Sequence, residues 1–308
     1  MPNPLSRLGK SLSSHGLLGT LKLSIPLLRR VVRDGPDSVR FAWIKLRRGT
    51  TGVIVDTQVG QMYVDLKDQG IGKKLALTGV HEAASSAQLI KELKPGMKVL
   101  EIGANIGYYV KLVANEIGSD GRILAFEPSR VNVDMLRKNV ELSSLEDIVH
   151  IEHTAVGETS GEAELFMMDK ANASSLIRRT DNSLTQVDSE IVPVVSIDDY
   201  LASYELDFDW FRMDVEGYEF EIVRGMKKSI AKSKPAGCFI EVHSSLFPEL
   251  GHTTLEFMEL MNSNGFRLNI ARWRGRTDIE VRGDDEWRNH SRFELGYWEA
   301  FFQRSDDY

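Results

Sequence analysis

Apolar positions along this chain fall into short runs that alternate with stretches of helical spacing. Residues 98–102, KVLEI, form one short run. It breaks into small residues from Gly103 to Gly107, after which Tyr108, Leu112 and Val113 share one helical face, predicting strand, tight turn and a helix over 107–117. The pattern recurs in RILAF, 122–126, followed by a helix over 129–142 with Val133, Leu136 and Val140 on one face. VHIEHTAVG, 149–157, reads as a third strand, GEAELFMM, 161–168, as an extra one, and VPVVSIDDYL as strand then helix with Ser196 as its cap. Further strands are predicted at 210–213 and 236–247, a helix at 253–264, and two last strands in FRLNIARW and YWEAFFQR. The polar stretch 169–190 reads as loop, with Asn172, Ser174 and Ser175 placed to line a substrate mouth, and 274–294 reads as charged loop. Upstream, 52–66 predicts a hairpin turning near Gly60, and 82–93 a helix stopped by Pro95-Gly96. Strands alternating with helices over this length predict an α/β fold around a largely parallel sheet.

Charge divides the chain. Residues 1–48 hold ten Lys or Arg and two acids, a net of +8, against −7 for all 308 residues. Three segments follow: a basic helical arm over 1–50, a hairpin-and-helix extension over 51–96, and the main domain over 97–308. Residues 37–48 predict a helix capped at Asp37 or Ser38, with Val39, Trp43 and Leu46 on one face among arginines and lysines. Such a helix suits an anionic membrane surface, and equally suits packing on the main domain or dimerisation. The overall negative charge argues against nucleic acid as a partner. The one cysteine, Cys238, sits in an apolar run and excludes both a disulfide framework and a Cys-based zinc site. No stretch has the length and apolarity of a membrane span or the form of a signal peptide, so a cytoplasmic protein is expected, with any membrane contact peripheral and through residues 1–48.

The candidate chemistry lies where predicted strands end. Gly103 and Gly107 allow a ligand to approach backbone N–H groups at a helix start. A dinucleotide turn would need glycine at position 108, where Tyr108 stands, so a nicotinamide enzyme is disfavoured. Glu127 ends the next strand about 20 residues on, where a carboxylate accepts ribose hydroxyls. Asp214 ends the strand 210–213 ahead of Glu216, Glu219 and Glu221, and Glu216 is expected at the helix start, satisfied by backbone N–H groups. Glu241 and His243, two apart on one strand, are expected to face the same side as candidates for general base or metal ligand. His81 reads as a helix-cap or surface residue.

The E-x-G-x-N-x-G turn resembles the first motif of class I methyltransferases. IGANIGYY, FEP, the loop before VPVVSIDDYL, MDVEGYE and IEVH, in order over about 52–303, resemble the FkbM family. That resemblance implies a Rossmann-like seven-stranded mixed sheet and S-adenosylmethionine as cofactor. It also implies O-methylation at a hydroxyl, or a carboxyl, of a sugar, glycan or related small-molecule or lipid-linked acceptor. By the same resemblance, Glu101, Gly103, Asn105, Gly107, Tyr108, Glu127, Pro128, Ala155, Val156 and Asp214 would contact the cofactor, and Asp214, His243 and Glu241 would serve catalysis. No metal is required, although Asp214, Glu241 and His243 would form a ligand set in a metal-assisted variant. A catalytically silent binding protein on the same fold is the alternative from a different class.

Overall fold

The structure, a computed structural model, describes residues 36–49, 52–168, 174–178, 186–273, 279–288, 293 and 296–305. Its centre is an eight-stranded sheet in the order β12-β11-β13-β10-β9-β3-β4-β5. These are β3 (Lys98–Ile102), β4 (Arg122–Phe126), β5 (Val149–Glu152), β9 (Trp210–Met213), β10 (Gly237–Val242), β11 (Phe266–Trp273), β12 (Ile279–Arg282) and β13 (Trp298–Arg304). Strands β5, β4, β3, β9 and β10 run parallel, and β13 enters antiparallel between β10 and β11. Seven strands meet the expectation, and β12 adds an eighth at the edge.

Strands β9 and β10 are buried at every position, as parallel strands covered on both faces must be. Alternate residues feed opposite layers: Val99 and Phe239 one core, Leu100, Cys238 and Ile240 the other. The helix α4 (Tyr108–Ile117) is buried from Tyr108 through Ala114 because the N-terminal extension covers its outer side. That extension comprises the helix α1 (Asp37–Arg48), the hairpin β1 (Val53–Thr57) and β2 (Gly60–Val64), α2 (Ile71–Thr78) and α3 (Ala83–Glu92). It shares one core cluster with β3 and α4. Lys111 of α4, 2% exposed, donates to the Gln61 carbonyl of the hairpin. Asn139, on the helix α5 (Arg130–Glu141), clips three parts together. Its Oδ1 accepts from Tyr63 N (2.6 Å), and its Nδ2 donates to the carbonyls of Tyr63 (3.0 Å) and Ile106 (2.8 Å).

Several expectations need correction. The run 149–157 is two strands: β5 ends at Glu152, and β6 (Ala155–Val156) joins β7 (Gly161–Met168) and β8 (Gln186–Val195) in a separate three-stranded sheet. Strand β8 begins inside the stretch read as loop, and Asn172 lies outside the described residues. Within 274–294, β12 and the helix α10 (Gly283–Arg288) form on two apolar anchors, Val281 and Trp287, both buried. Helix α2 forms over a stretch for which the sequence pattern predicts no element. The helix α1 follows Pro36 with no side-chain cap, and Phe41 is its buried residue, while Val39 and Leu46 face outward. Trp43, the third residue of that stripe, is half-buried.

Candidate active site

All five parallel strands deliver their carboxyl ends to one edge, where open α/β sheets bind ligands. Gly103 leaves β3 at φ +80, and a Cβ there would lie 1.9 Å from the carbonyl oxygen of Asp214. Glycine is therefore required both for the left-handed turn and for the approach of the two strand ends. Asn105 also takes a positive φ, 51°, and its side chain accepts from the N–H of Ile106 (2.7 Å). Its own N–H donates to Glu127 Oε2 (2.8 Å). Glu127 Oε1 accepts from Ser129 N (3.0 Å) and Asn132 Nδ2 (3.2 Å), the latter on the first turn of α5, where Ser129 is the cap. Burial outweighs these hydrogen bonds and raises the Glu127 carboxyl to about 6.

A cleft opens over this turn. Seven of the ten expected cofactor residues line it: Gly103, Asn105, Glu127, Pro128, Ala155, Val156 and Asp214. Ser174, Ser175, Tyr218 and Glu216 also line it. The other three residues serve the turn from behind. Glu101 is fully buried and pairs with Arg212 (2.7 Å). A Cβ on Gly107 would meet Leu136, and Tyr108 is buried beside His81 with ring centroids 5.4 Å apart.

A second, small polar cavity adjoins the cleft, and the two share Gly103, Asn105, Asp214 and Glu216. Its far wall holds His81, Glu82, Tyr109, Arg212 and Glu241. Arg212, 3% exposed, is the hub. Its guanidinium binds Glu101, Asp214 (3.1 Å) and Glu241 (3.2 Å) and lies 3.8 Å over the Tyr109 ring. Burial, then the carboxylates of Asp214 and Glu82, push Glu241 well above the usual carboxylate range, with Arg212 only partly offsetting them. Glu82 accepts from the Tyr109 hydroxyl at 2.8 Å. His81 therefore belongs to the cavity wall rather than to a helix cap or the open surface.

Glu241 and His243 do not share a face. Strand β10 ends at Val242, and His243, at φ −96 and ψ 62, has left the extended conformation. Its Nδ1 lies 2.8 Å from Glu219 Oε1 and its Nε2 3.4 Å from Glu216 Oε2. Burial by itself would lower His243. The surrounding carboxylates of Glu216, Glu219 and Asp214 prevail and push it up to about 10, so the ring holds its proton at neutral pH. In that state it is a donor and a counter-charge beside Glu216 and Glu219. Glu216 is likewise re-placed. The helix α7 (Glu219–Arg224) starts three residues later, and Glu216 occupies a turn at φ 56 with its carboxylate toward His243.

Arg212 and Glu82 were missed. Arg212 left one signal, a lone cation inside the buried strand WFRM, which must find carboxylates. Glu82 left none, because its role depends on α3 packing against α4 and β13.

The residues present fit a nucleoside sulfonium ligand. The turn offers glycine-lined backbone, Glu127 Oε2 keeps a lone pair beyond the Asn105 bond, and Asp214 and Glu216 put negative charge at the cleft's end. The family model described as "Methyltransferase FkbM domain" matches residues 101–268. A protein-L-isoaspartate O-methyltransferase 1 of Arabidopsis thaliana is 36% identical over 94 residues, 30% of this chain and 40% of that protein. The protein-L-isoaspartate O-methyltransferase of Methanothermobacter thermautotrophicus is 29% identical over 128 residues, 40% of this chain and 58% of that protein. The chain thus spans about half the length of the curated relatives it matches. The crystal structure of a methyltransferase FkbM from Methylobacillus flagellatus aligns over 74% of this chain and 52% of its own, with 15% identity and a TM-score of 0.40.

Proposed function

The chain belongs to the FkbM methyltransferase family, whose methyl donor is S-adenosylmethionine, and from that premise we propose that it methylates a hydroxyl of a sugar, glycan or related acceptor. The observation that carries this reading is the shared wall. Asp214 and Glu216 line both the cleft over the glycine turn and the polar cavity beside it, so donor and acceptor would meet at these carboxylates. Bound S-adenosylmethionine supplies an electrophilic methyl on a sulfonium. The chain must orient an acceptor oxygen in line with it and receive the hydroxyl proton. Asp214 would make that contact, held from behind by Arg212, which Glu241 holds in turn. The matched relatives carry names that denote a carboxyl acceptor. Here Glu82, Asp214 and Glu216 line the acceptor side and would repel a second anion, which favours a neutral hydroxyl.

Radiolabelled methyl transfer to a panel of sugars, glycans and isoaspartyl peptides tests this. The expected product is an alkali-stable ether. An alkali-labile methyl ester would move the reading to carboxyl methylation, and donor binding without turnover on any acceptor would favour the silent binding protein.

Donor binding should depend on pH through Glu127. Its folded-state value of about 6 lies above the ordinary one, so the site holds that proton at pH 5 and loses it as pH rises through 6. Ribose hydroxyls need the ionised acceptor. S-adenosylhomocysteine should therefore bind about tenfold more weakly at pH 5 than at pH 7.5, one pH unit below the midpoint leaving roughly a tenth ionised. Glu127→Gln should bind weakly and flatten that part of the profile; an unchanged slope would remove Glu127 from the cofactor site.

We further propose that α1 docks on anionic lipid. Leu46 is 83% exposed and Val39 40%, and Arg47 stacks over Trp43 at 4.2 Å. No described helix is long and apolar enough to cross a membrane. Leu46→Glu combined with Val39→Glu leaves the buried Phe41 in place and should abolish cosedimentation with phosphatidylserine vesicles. Binding should also fall with salt, at most about 1 kcal/mol being contributed per basic residue. Retained vesicle binding in the double variant would end the membrane reading.

A further inference from the structure

Asp214, Glu216 and His243 converge where β9 and β10 end. One carboxylate oxygen from each acid and one imidazole nitrogen all lie within 4.8 Å of one another. The pairing of Met213 with Ile240 sets the two strand ends side by side, which brings residues 29 positions apart into one cluster. Glu216 is held in its turn by the Ser175 hydroxyl, which donates to the Glu216 carbonyl at 2.7 Å.

The imidazole is oriented from behind. His243 is 8% exposed, with Nδ1 against Glu219 Oε1 and Nε2 turned to the Glu216 side. A carboxylate on the far ring nitrogen is the arrangement that fixes metal-bound histidines. Glu219 is fully buried. Its Oε1 also accepts from Gly217 N (3.0 Å), while its Oε2 is buried and has no partner among the described residues. A metal ion bound at Nε2 would take the place of the ring proton there, with the Asp214 and Glu216 carboxylates beside it.

We propose that Asp214, Glu216 and His243 form a divalent-cation site of the Mn²⁺ or Mg²⁺ class. Two hard carboxylate oxygens and one imidazole suit such an ion and leave positions open toward the cleft. The set differs from the Asp214, Glu241 and His243 combination considered from sequence, because Glu241 is committed to Arg212. The cation's role beside the acceptor oxygen rests on the methyltransferase reading, whereas its binding does not.

Mn²⁺ titrated into the full chain, followed by the loss of its free electron paramagnetic resonance signal, tests the site directly. One ion per chain is expected, displaced by excess Mg²⁺. Asp214→Asn, Glu216→Gln and His243→Ala should each weaken it by at least about tenfold. Glu221→Gln should not, although Glu221 and His252 form a similar pair at 2.7 Å elsewhere. Should His243→Ala fail to fold, Glu216→Gln, whose side chain is 16% exposed, carries the same test. Calorimetry with S-adenosylhomocysteine on the same samples separates the two readings. Nucleoside binding with no bound Mn²⁺ overturns the cation site, as does equal weakening by Glu221→Gln. Bound Mn²⁺ without nucleoside binding upholds the cation site and overturns the methyltransferase reading.

Discussion

Asp214→Asn should lower methyl transfer by about 10²–10⁴, the range of general acid–base contributions, while S-adenosylhomocysteine affinity changes little. The carboxylate's position is rigid. The Asp214 N–H donates to the Ile102 carbonyl (3.0 Å), its own carbonyl packs on Gly103, and Arg212 binds its Oδ2. Asparagine preserves that shape and removes the charge, so a loss confined to turnover reports charge at the reacting centre. Single-turnover rates and calorimetry on one preparation separate the two quantities. The neighbour comparison is Glu216→Gln. Its carboxylate lines the cleft and lies 3.4 Å from His243 Nε2, so it too should depress turnover, where a residue serving only a helix start would depress only stability. Near-full activity in both Asp214→Asn and His243→Ala would place the reacting edge elsewhere on the sheet, with the fold and the glycine turn intact.

Arg212→Met should destabilise the fold by about 3–5 kcal/mol, the cost of leaving buried carboxylates without their cation. Arg212 is 3% exposed, Glu101 is fully buried, and Glu241 is 6% exposed. Methionine fills the space over the Tyr109 ring but leaves these acids facing one another. Denaturant unfolding monitored by tryptophan fluorescence gives the loss, with Trp210 in the same strand as a reporter. Adding Glu101→Gln and Glu241→Gln to Arg212→Met should recover a large part of the loss, because neutral amides carry a smaller desolvation cost. A loss below about 1 kcal/mol in Arg212→Met would mean that the acids share protons among themselves and that Arg212 is not what holds them.

Most elements of the main domain were legible before the structure because each is written in neighbouring residues. The period-2 and period-3.6 patterns, the Ser196 cap and the Gly103 turn depend on contacts within a few positions. Where the reading failed, the local pattern was real and its partner lay elsewhere. Residues 149–157 are extended throughout, yet a change of sheet splits them after Glu152. On α1, Val39, Trp43 and Leu46 do share a face, but α2 and the hairpin cover Phe41 instead.

Sequence alone determined the strand–turn–helix order, the glycine turn with Glu127 beyond it, and Asp214 at a strand end, all set by spacing along one chain. Tertiary structure alone decided which acids share a cation. Arg212 reaches Glu101 across 111 positions and Glu241 across 29, and Glu82 enters the cavity only because α3 folds over the sheet. It also parted Glu241 from His243, two positions apart, by ending β10 between them and turning one toward Arg212 and the other toward Glu219. Spacing sets which face of an element a side chain takes. The charge that meets it there comes from whichever distant element packs opposite, and the burial of that packing fixes protonation.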